Sequence, residues 1–431
     1  MNKKISFYTL GCKLNQSETA VLADQFNQQG YEILPFGEPV DICVINTCTV
    51  TEKTDYRCRQ MIRRAKKINP QAQIAVVGCY AQLASEKIKE IDGVDYILGS
   101  DSKFELLDRL TQHSDTNTPI VESSGNKEFK NPQPGNFWNH TRAFAKIQDG
   151  CNNLCSYCAV PLARGKSRSD SMEHVVKTVS ELVNRGHKEI VLTGVHIGMY
   201  GKDLKPAKTL PDVLETIEKI PGLERIRLSS LEPTEVENDL LDCIANSKKI
   251  CHHFHIPLQN GDDEILKRMK RNYNVEYFEK VTSKIKNRLP NCGLGTDVIV
   301  GFPGETDLNF QNTVRLVERL PFSYLHVFSY SKRPGTKAVE YEDHVNPKMI
   351  KERSEILREV AKKKKRDFYF SQVERVERVL WEEKSKGNHM YGWTDNYVRV
   401  RAPFQKELLN STVEVQIIHA DADYVEGQVL S

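Results

Sequence analysis

No run of apolar residues in this 431-residue chain approaches the roughly 18 needed to cross a bilayer. The longest, such as Ile190 to Val195, have the length of buried strands. Excess charge of either sign is lacking too: 61 Lys and Arg against 58 Asp and Glu leave a net +3, which permits a polyanionic partner without implying one. An export leader is not expected, because the apolar stretch behind Lys3 and Lys4 is about seven residues long and broken by Ser6. Cys12 in "TLGC" is therefore not read as a lipid attachment site. Without export, the eleven cysteines, an odd number, make no disulfide framework. A cytoplasmic protein whose thiols serve metal binding or catalysis is the expectation.

What is present is a soluble composition, 39% hydrophobic and 28% charged, over a length that calls for two or three domains. Strand-like runs ending at Leu10, Thr47 and Gly78 alternate with helical stretches, the pattern of a parallel sheet with right-handed crossovers. Residues 113–140 lose periodicity and collect Pro, Gly, Asn and Ser, which reads as a linker. Six strand-helix units follow, beginning near residues 142, 188, 225, 252, 295 and 323, two short of a closed eight-fold barrel. A charged helix over 347–372 leads to five short runs of period two, the signature of a small antiparallel barrel. The expected fold is thus α/β and multidomain. It comprises a flavodoxin- or Rossmann-like parallel sheet (1–112), a linker (113–140), a partial (β/α)6 barrel with its trailing helix (141–372) and an OB-like barrel (373–431).

The strongest chemical signal is "CNNLCSYC": Cys151, Cys155 and Cys158 offer three thiolates on one tight loop. A four-iron cluster held there has one iron without a protein ligand, open to substrate or cofactor. Structural zinc is the alternative and needs a fourth ligand, but the nearest histidines, His140 and His174, lie outside the loop. Cys12, Cys48 and Cys79 each follow one of the three N-terminal strands, and parallel strands bring their carboxyl ends to one sheet edge. Three further thiols are expected to converge there, whereas Cys43 and Cys58 read as packing. Glycine-rich loops after the barrel strands, around Gly194, Ser229 and Gly301, suit close approach of a ligand to backbone, and Glu232 suits a cationic amine. His253 and His255 read as core positions or as polar groups of the same site. In the terminal barrel, Trp393, Tyr397, Arg399 and Arg401 offer stacking and phosphate contacts to RNA.

Over nearly its full length the chain resembles the radical-SAM methylthiotransferases. The resemblance rests on "GCKLNQSE", "NTCTVTEKTDYRCRQ", "VVGCYAQ", "IQDGCNNLCSYCAVPLARGKSRS", "RLSSLEP", "HFHIPLQNGDDEILKRMKRNY", "DVIVGFPGET" and "YSKRPGT". It implies two [4Fe-4S] clusters. One, on Cys151, Cys155 and Cys158, binds S-adenosyl-L-methionine, with Tyr157, Gly194, Ser229 and Glu232 as candidate contacts. The other, an auxiliary cluster on Cys12, Cys48 and Cys79, carries the sulfur to be inserted. The terminal barrel looks like a TRAM domain. "TCTVTEK" and "GCYAQ" are most similar to the branch acting on N6-threonylcarbamoyladenosine beside the tRNA anticodon, while "QNG" at 259 departs from the "QSG" frequent in relatives. The implied partners are the tRNA anticodon stem-loop and an electron donor such as flavodoxin or ferredoxin, with the enzyme a monomer. The alternatives are action on isopentenyladenosine tRNA or on a ribosomal protein, and a non-catalytic iron-sulfur RNA-binding protein.

Overall fold

In the N-terminal region every second residue of two central strands turns to the opposite face, and both faces are apolar. A computed structural model of the chain describes residues 3–112, 119–122, 129–132, 135 and 141–430. Its first sheet is parallel and contains β1 (Lys4–Thr9), β2 (Glu32–Leu34), β3 (Ile42–Thr47), β4 (Gln73–Gly78), β5 (Tyr96–Leu98) and β6 (Ile120–Glu122), in the order β2-β1-β3-β4-β5-β6. Cys43, Ile45, Ile74 and Val76 pack on one face, while Ile42, Val44, Ala75 and Val77 pack on the other. That double burial, with helices Lys13–Gln28 and Glu52–Ile68 among the crossovers, is the doubly wound arrangement with flavodoxin-like strand order. Thr51 caps the second helix by accepting from the Thr54 amide at 3.2 Å. The segment read as a linker instead supplies β6, which pairs with β5; most of the rest of 113–140 lies outside the described residues, His140 included.

The central region holds β7 (Arg142–Lys146), a short antiparallel pair β8 (Gln148–Asp149) and β9 (Arg168–Ser169), then β10 (Glu189–Thr193), β11 (Arg225–Leu228), β12 (His253–His255), β13 (Gly293–Val300) and β14 (Tyr324–Ser329). The parallel sets β7-β10-β11 and β12-β13-β14 are joined by a bridge between Ile226 and Ile250, giving a six-stranded partial barrel as the sequence pattern predicts. Helices such as Met172–Asn184 and Asp307–Arg319 cover its outside. β7 and β14 remain as edges, and the N-terminal unit reaches both of them. Ser17 Oγ donates to the Phe144 carbonyl of β7 at 3.2 Å, and beyond β14 Arg333 donates to Thr49 Oγ1 at 2.7 Å. The open side of the barrel therefore faces the first sheet.

Helix Pro347–Phe370 leads to a closed barrel of β15 (Val376–Lys386), β16 (His389–Thr394), β17 (Arg399–Pro403), β18 (Thr412–Ala420) and β19 (Val425–Val429). Its β16–β17 turn docks at the amino-terminal ends of the central strands. Arg225 opens β11 and donates to the Trp393 carbonyl at 2.7 Å; Arg227 donates to the Asp395 carbonyl at 2.9 Å and pairs with the buried Glu189 of β10 at 2.7 Å. The terminal barrel thus sits at the opposite end of the strands from the loop that carries Cys151.

Candidate active site

Strands β1, β3 and β4 are neighbours in register, so the turns at their carboxyl ends meet. Cys12 caps helix Lys13–Gln28, Cys48 follows β3, and Cys79 opens helix Cys79–Leu83. Glycine makes the approach possible: Gly11 has φ +112°, and a Cβ there would fall 2.5 Å from Cys48 Cβ. Asn15 ties two of the turns by donating to the Leu10 carbonyl at 2.8 Å and the Thr47 carbonyl at 3.0 Å. Cys48 and Cys79 are buried and Cys12 is exposed, so the group opens to one side. Burial raises the thiol pKa of Cys48, and the neighbouring Cys79 and Cys12 add to the rise. Cys43 and Cys58 are buried; Cys58 donates to the Cys48 carbonyl at 3.5 Å and packs as expected.

The second set lies on the loop after β8. The Asn153 amide donates to Cys151 Sγ at 3.3 Å, His196 Nδ1 lies 3.5 Å from the same sulfur, and Arg271 donates to Cys155 Sγ at 3.1 Å. Burial pushes the Cys158 thiol up to about 12. His196 also pairs with Glu235; burial opposes its proton, but the bonds to Cys151 and Glu235 raise its pKa to about 10. His196 stands in "TGVHIG" and Arg271 in "KRNY", stretches in which sequence reasoning assigned neither residue a role. The signal for His196 is positional, since it lies in the loop after β10, whereas Arg271 sits in the turn between helices Asp263–Arg268 and Val275–Arg288 and has no such signal.

The four expected S-adenosylmethionine contacts gather around this loop. Tyr157 packs edge-on to Phe302 at 6.4 Å, with its hydroxyl 3.5 Å from Arg271. Gly194 follows β10, where a Cβ would fall 2.8 Å from the Gln148 carbonyl. Ser229 follows β11 and keeps a buried Oγ with no partner among the described residues. Glu232, expected to suit a cationic amine, pairs with Arg271. Burial raises the Glu232 pKa and Arg271 counters it, so the charge is balanced within the protein.

Both thiol sets fit an iron-sulfur cluster better than one ion. Among the described residues, the His, Cys, Asp and Glu group with ligand atoms within 4.8 Å of one another is His255, Asp297 and His326, not a cysteine triplet. Each triplet offers three soft ligands with cationic N–H donors beside them, which suits the negative charge of a thiolate-bound cluster. The His255 group lines the interior: Asp297 Oδ1 lies 3.0 Å from His255 Nε2 and 3.1 Å from His326 Nδ1. Tyr324 links His255 to the buried His253 through its hydroxyl, at 3.1 and 2.9 Å. Gly295 leaves room for the tyrosine ring, which a Cβ would strike at 2.1 Å.

The four residues expected at RNA separate into two pairs. Trp393 stacks on Tyr397 at 4.5 Å, and Tyr397 lies 4.6 Å from His253, so these two rings close the amino-terminal end of the central barrel. Arg399 covers Tyr391 and Arg401 covers Tyr424 at 4.6 and 4.0 Å, contacts that lie farther from the docked turn along the same strand pair. Trp393 faces Arg399 across the β16–β17 ladder, so the strand residues share one outer face and distance from the docked turn is what separates the pairs.

Residues 4–99 match the family described as uncharacterized protein family UPF0004, and residues 145–317 match the Radical SAM superfamily. The chain is 39% identical to the threonylcarbamoyladenosine tRNA methylthiotransferase MtaB of Bacillus subtilis, over 98% of this chain and 96% of that one. It is 34% identical to a tRNA-2-methylthio-N(6)-dimethylallyladenosine synthase of Clostridium botulinum, over 97% and 95%. In fold it is similar to the radical S-adenosylmethionine methyltransferase TsrM from Kitasatospora setae, with a TM-score of 0.56 at 15% identity, covering 78% of this chain and 77% of that one.

Proposed function

The chain belongs to the methylthiotransferase family of radical S-adenosylmethionine enzymes, and from that premise we propose that it adds a methylthio group to carbon 2 of N6-threonylcarbamoyladenosine in tRNA. Cys151, Cys155 and Cys158 hold the radical-generating [4Fe-4S] cluster, and Cys12, Cys48 and Cys79 hold the auxiliary one. When bound, these clusters and S-adenosylmethionine supply the hydrogen abstraction and the sulfur transfer. The protein's part is to orient them and keep water out.

The observation that carries this reading is the meeting of two thiol sets across one buried arginine, Arg164, which donates to Cys79 and to Asp149 beside the Cys151 loop. The polar interior supports the substrate branch. Lys13, adjacent to Cys12, meets the charges of Arg227 and Arg142 against that of Glu189, a set of cations that suits an anionic group. A threonylcarbamoyl carboxylate answers that need and a dimethylallyl group does not. His255, Asp297, His326 and Ser229 are then hydrogen-bonding groups for the substrates, while Arg399 and Arg401 contact RNA phosphates. Electrons come from a small donor such as flavodoxin or ferredoxin, and the enzyme works as a monomer in the cytoplasm. Among the described residues no helix is long and apolar enough to cross a membrane.

The test is nucleoside analysis of tRNA from a strain lacking the gene. Loss of 2-methylthio-threonylcarbamoyladenosine is expected; its persistence, with a different methylthio nucleoside missing, overturns the branch.

A further inference from the structure

Arg164 ends helix Val160–Arg164, just beyond the Cys151–Cys158 loop, and its side chain is 3% exposed. Every nitrogen of its guanidinium donates. Nε reaches Cys79 Sγ at 3.2 Å; Nη1 reaches Glu18 at 2.9 Å and Asp149 at 3.1 Å; Nη2 reaches Asn15 Oδ1 at 2.8 Å and Glu18 at 3.0 Å. Asp149 in turn accepts from the Gly150 amide at 2.8 Å, directly before Cys151. Asn15 holds the carbonyls flanking Cys12 and Cys48. One planar fork therefore touches the auxiliary thiol set on one side and the radical-cluster loop on the other.

The carboxylates alone account for the positive charge but not for where Nε points. Glu18 already has Lys103 and Lys146 as partners, and Asp149 has Lys146 at 2.7 Å. A charged N–H aimed at a cluster ligand favours the more negative, reduced form of that cluster. A lysine keeps the charge but not the fixed fork that holds Nε on the sulfur while Nη1 and Nη2 stay on the carboxylates.

We propose that Arg164 is a positioning residue that sets the reduction potential of the auxiliary cluster on Cys12, Cys48 and Cys79, from a seat fixed by the radical-cluster loop. The proposal rests on the two-cluster reading above. Its consequence is that the segment carrying one cluster fixes a determinant of the other cluster's potential.

The test uses the full chain reconstituted anaerobically, with Cys151, Cys155 and Cys158 replaced by Ala so that the signal comes from the auxiliary cluster alone. In a redox titration followed by electron paramagnetic resonance, Arg164→Lys should shift the ratio of reduced to oxidised cluster about tenfold toward oxidised at a given potential, or about 59 mV downward for a one-electron couple. Arginine labelled with nitrogen-15 should give a hyperfine coupling to the reduced cluster that Arg164→Lys removes. An iron-replete Arg164→Lys protein with unchanged potential overturns the proposal. If that variant fails to hold the cluster, absence of arginine nitrogen coupling in the protein that retains Arg164 overturns it instead. No iron-sulfur signal at all, even with Arg164 in place, defeats the two-cluster reading itself, an outcome distinct from an unshifted potential.

Discussion

The two thiol sets reach the same chemistry by opposite routes. Cys151, Cys155 and Cys158 sit within one loop, where covalent geometry alone keeps the sulfurs near one another. Cys12, Cys48 and Cys79 come from three strands, and only the order β1-β3-β4 and its register bring them together. A local site tolerates disturbance of the surrounding fold, whereas an assembled one fails with the sheet. The difference also accords with the proposed roles, since the loop faces the carboxyl ends of the barrel strands and the assembled set approaches from the barrel's open side.

The largest expected effect comes from deleting a ligand in each set. Cys155→Ala should abolish both 5′-deoxyadenosine formation and methylthiolation. Cys12→Ala or Cys48→Ala should abolish methylthiolation while leaving reductive cleavage of S-adenosylmethionine largely intact. Assay of both products in one reaction checks this, and loss of cleavage in Cys48→Ala with the other cluster intact ends the division of labour.

A subtler change separates the routes. Gly78 has φ +96°, and a Cβ there would fall 2.8 Å from the Thr47 carbonyl in the adjacent strand end. Gly78→Ala should cost about 1–2 kcal/mol for the left-handed conformation and should release about half of the bound iron by displacing Cys79. Gly150→Ala, with its Cβ 2.0 Å from the Lys166 carbonyl, should disturb the other half. Iron counts with product assays distinguish the two, and equal loss of both clusters in either variant would mean that the sites are not separable.

This contrast also explains what the sequence made legible. The loop set is visible as spacing, and the assembled set as three cysteines in equivalent positions after three strands, so both follow from local pattern plus parallel pairing. The short strands β2, β5 and β6 are three residues each, too brief to show a period. The contacts of Arg164 with Glu18 and Cys79 span 146 and 85 residues, and no periodicity announces which buried charge meets which. The same holds for the β16–β17 turn: aromatics and arginines on a small barrel suggest RNA, but docking of Trp393 and Tyr397 depends on Arg225 and Arg227 far earlier in the chain.

Acid should loosen the seat of Arg164 between the two sets. Burial alone would raise the Glu18 pKa, but Arg164, Lys103 and Lys146 hold it well below the usual carboxylate range. Because the folded pKa is the lower one, the stabilisation is complete above about pH 4.5 and is lost as pH falls through the folded value. Glu18→Gln should remove it at neutral pH, costing about 3 kcal/mol by leaving cations without their carboxylate, and should flatten the acid limb of stability. Urea midpoints measured against pH check this; an unchanged acid limb in Glu18→Gln would move the sensitivity to another group.

The smallest effect is expected far from either thiol set. Arg401 covers Tyr424 and pairs with Glu426, farther than Trp393 from the docked turn along the same strand pair. As a phosphate contact, Arg401→Ala should weaken tRNA binding several-fold and reduce the salt dependence of binding by about one counterion, with iron content and S-adenosylmethionine cleavage unchanged. Trp393→Ala should instead act through docking, because Arg142 lies over that ring at 5.2 Å and Glu382 accepts from its indole nitrogen at 3.1 Å. It should lower thermal stability with little change in the salt slope. If Trp393→Ala changed the slope and Arg401→Ala did not, RNA would have to meet the docked turn instead of the strand positions farther from it.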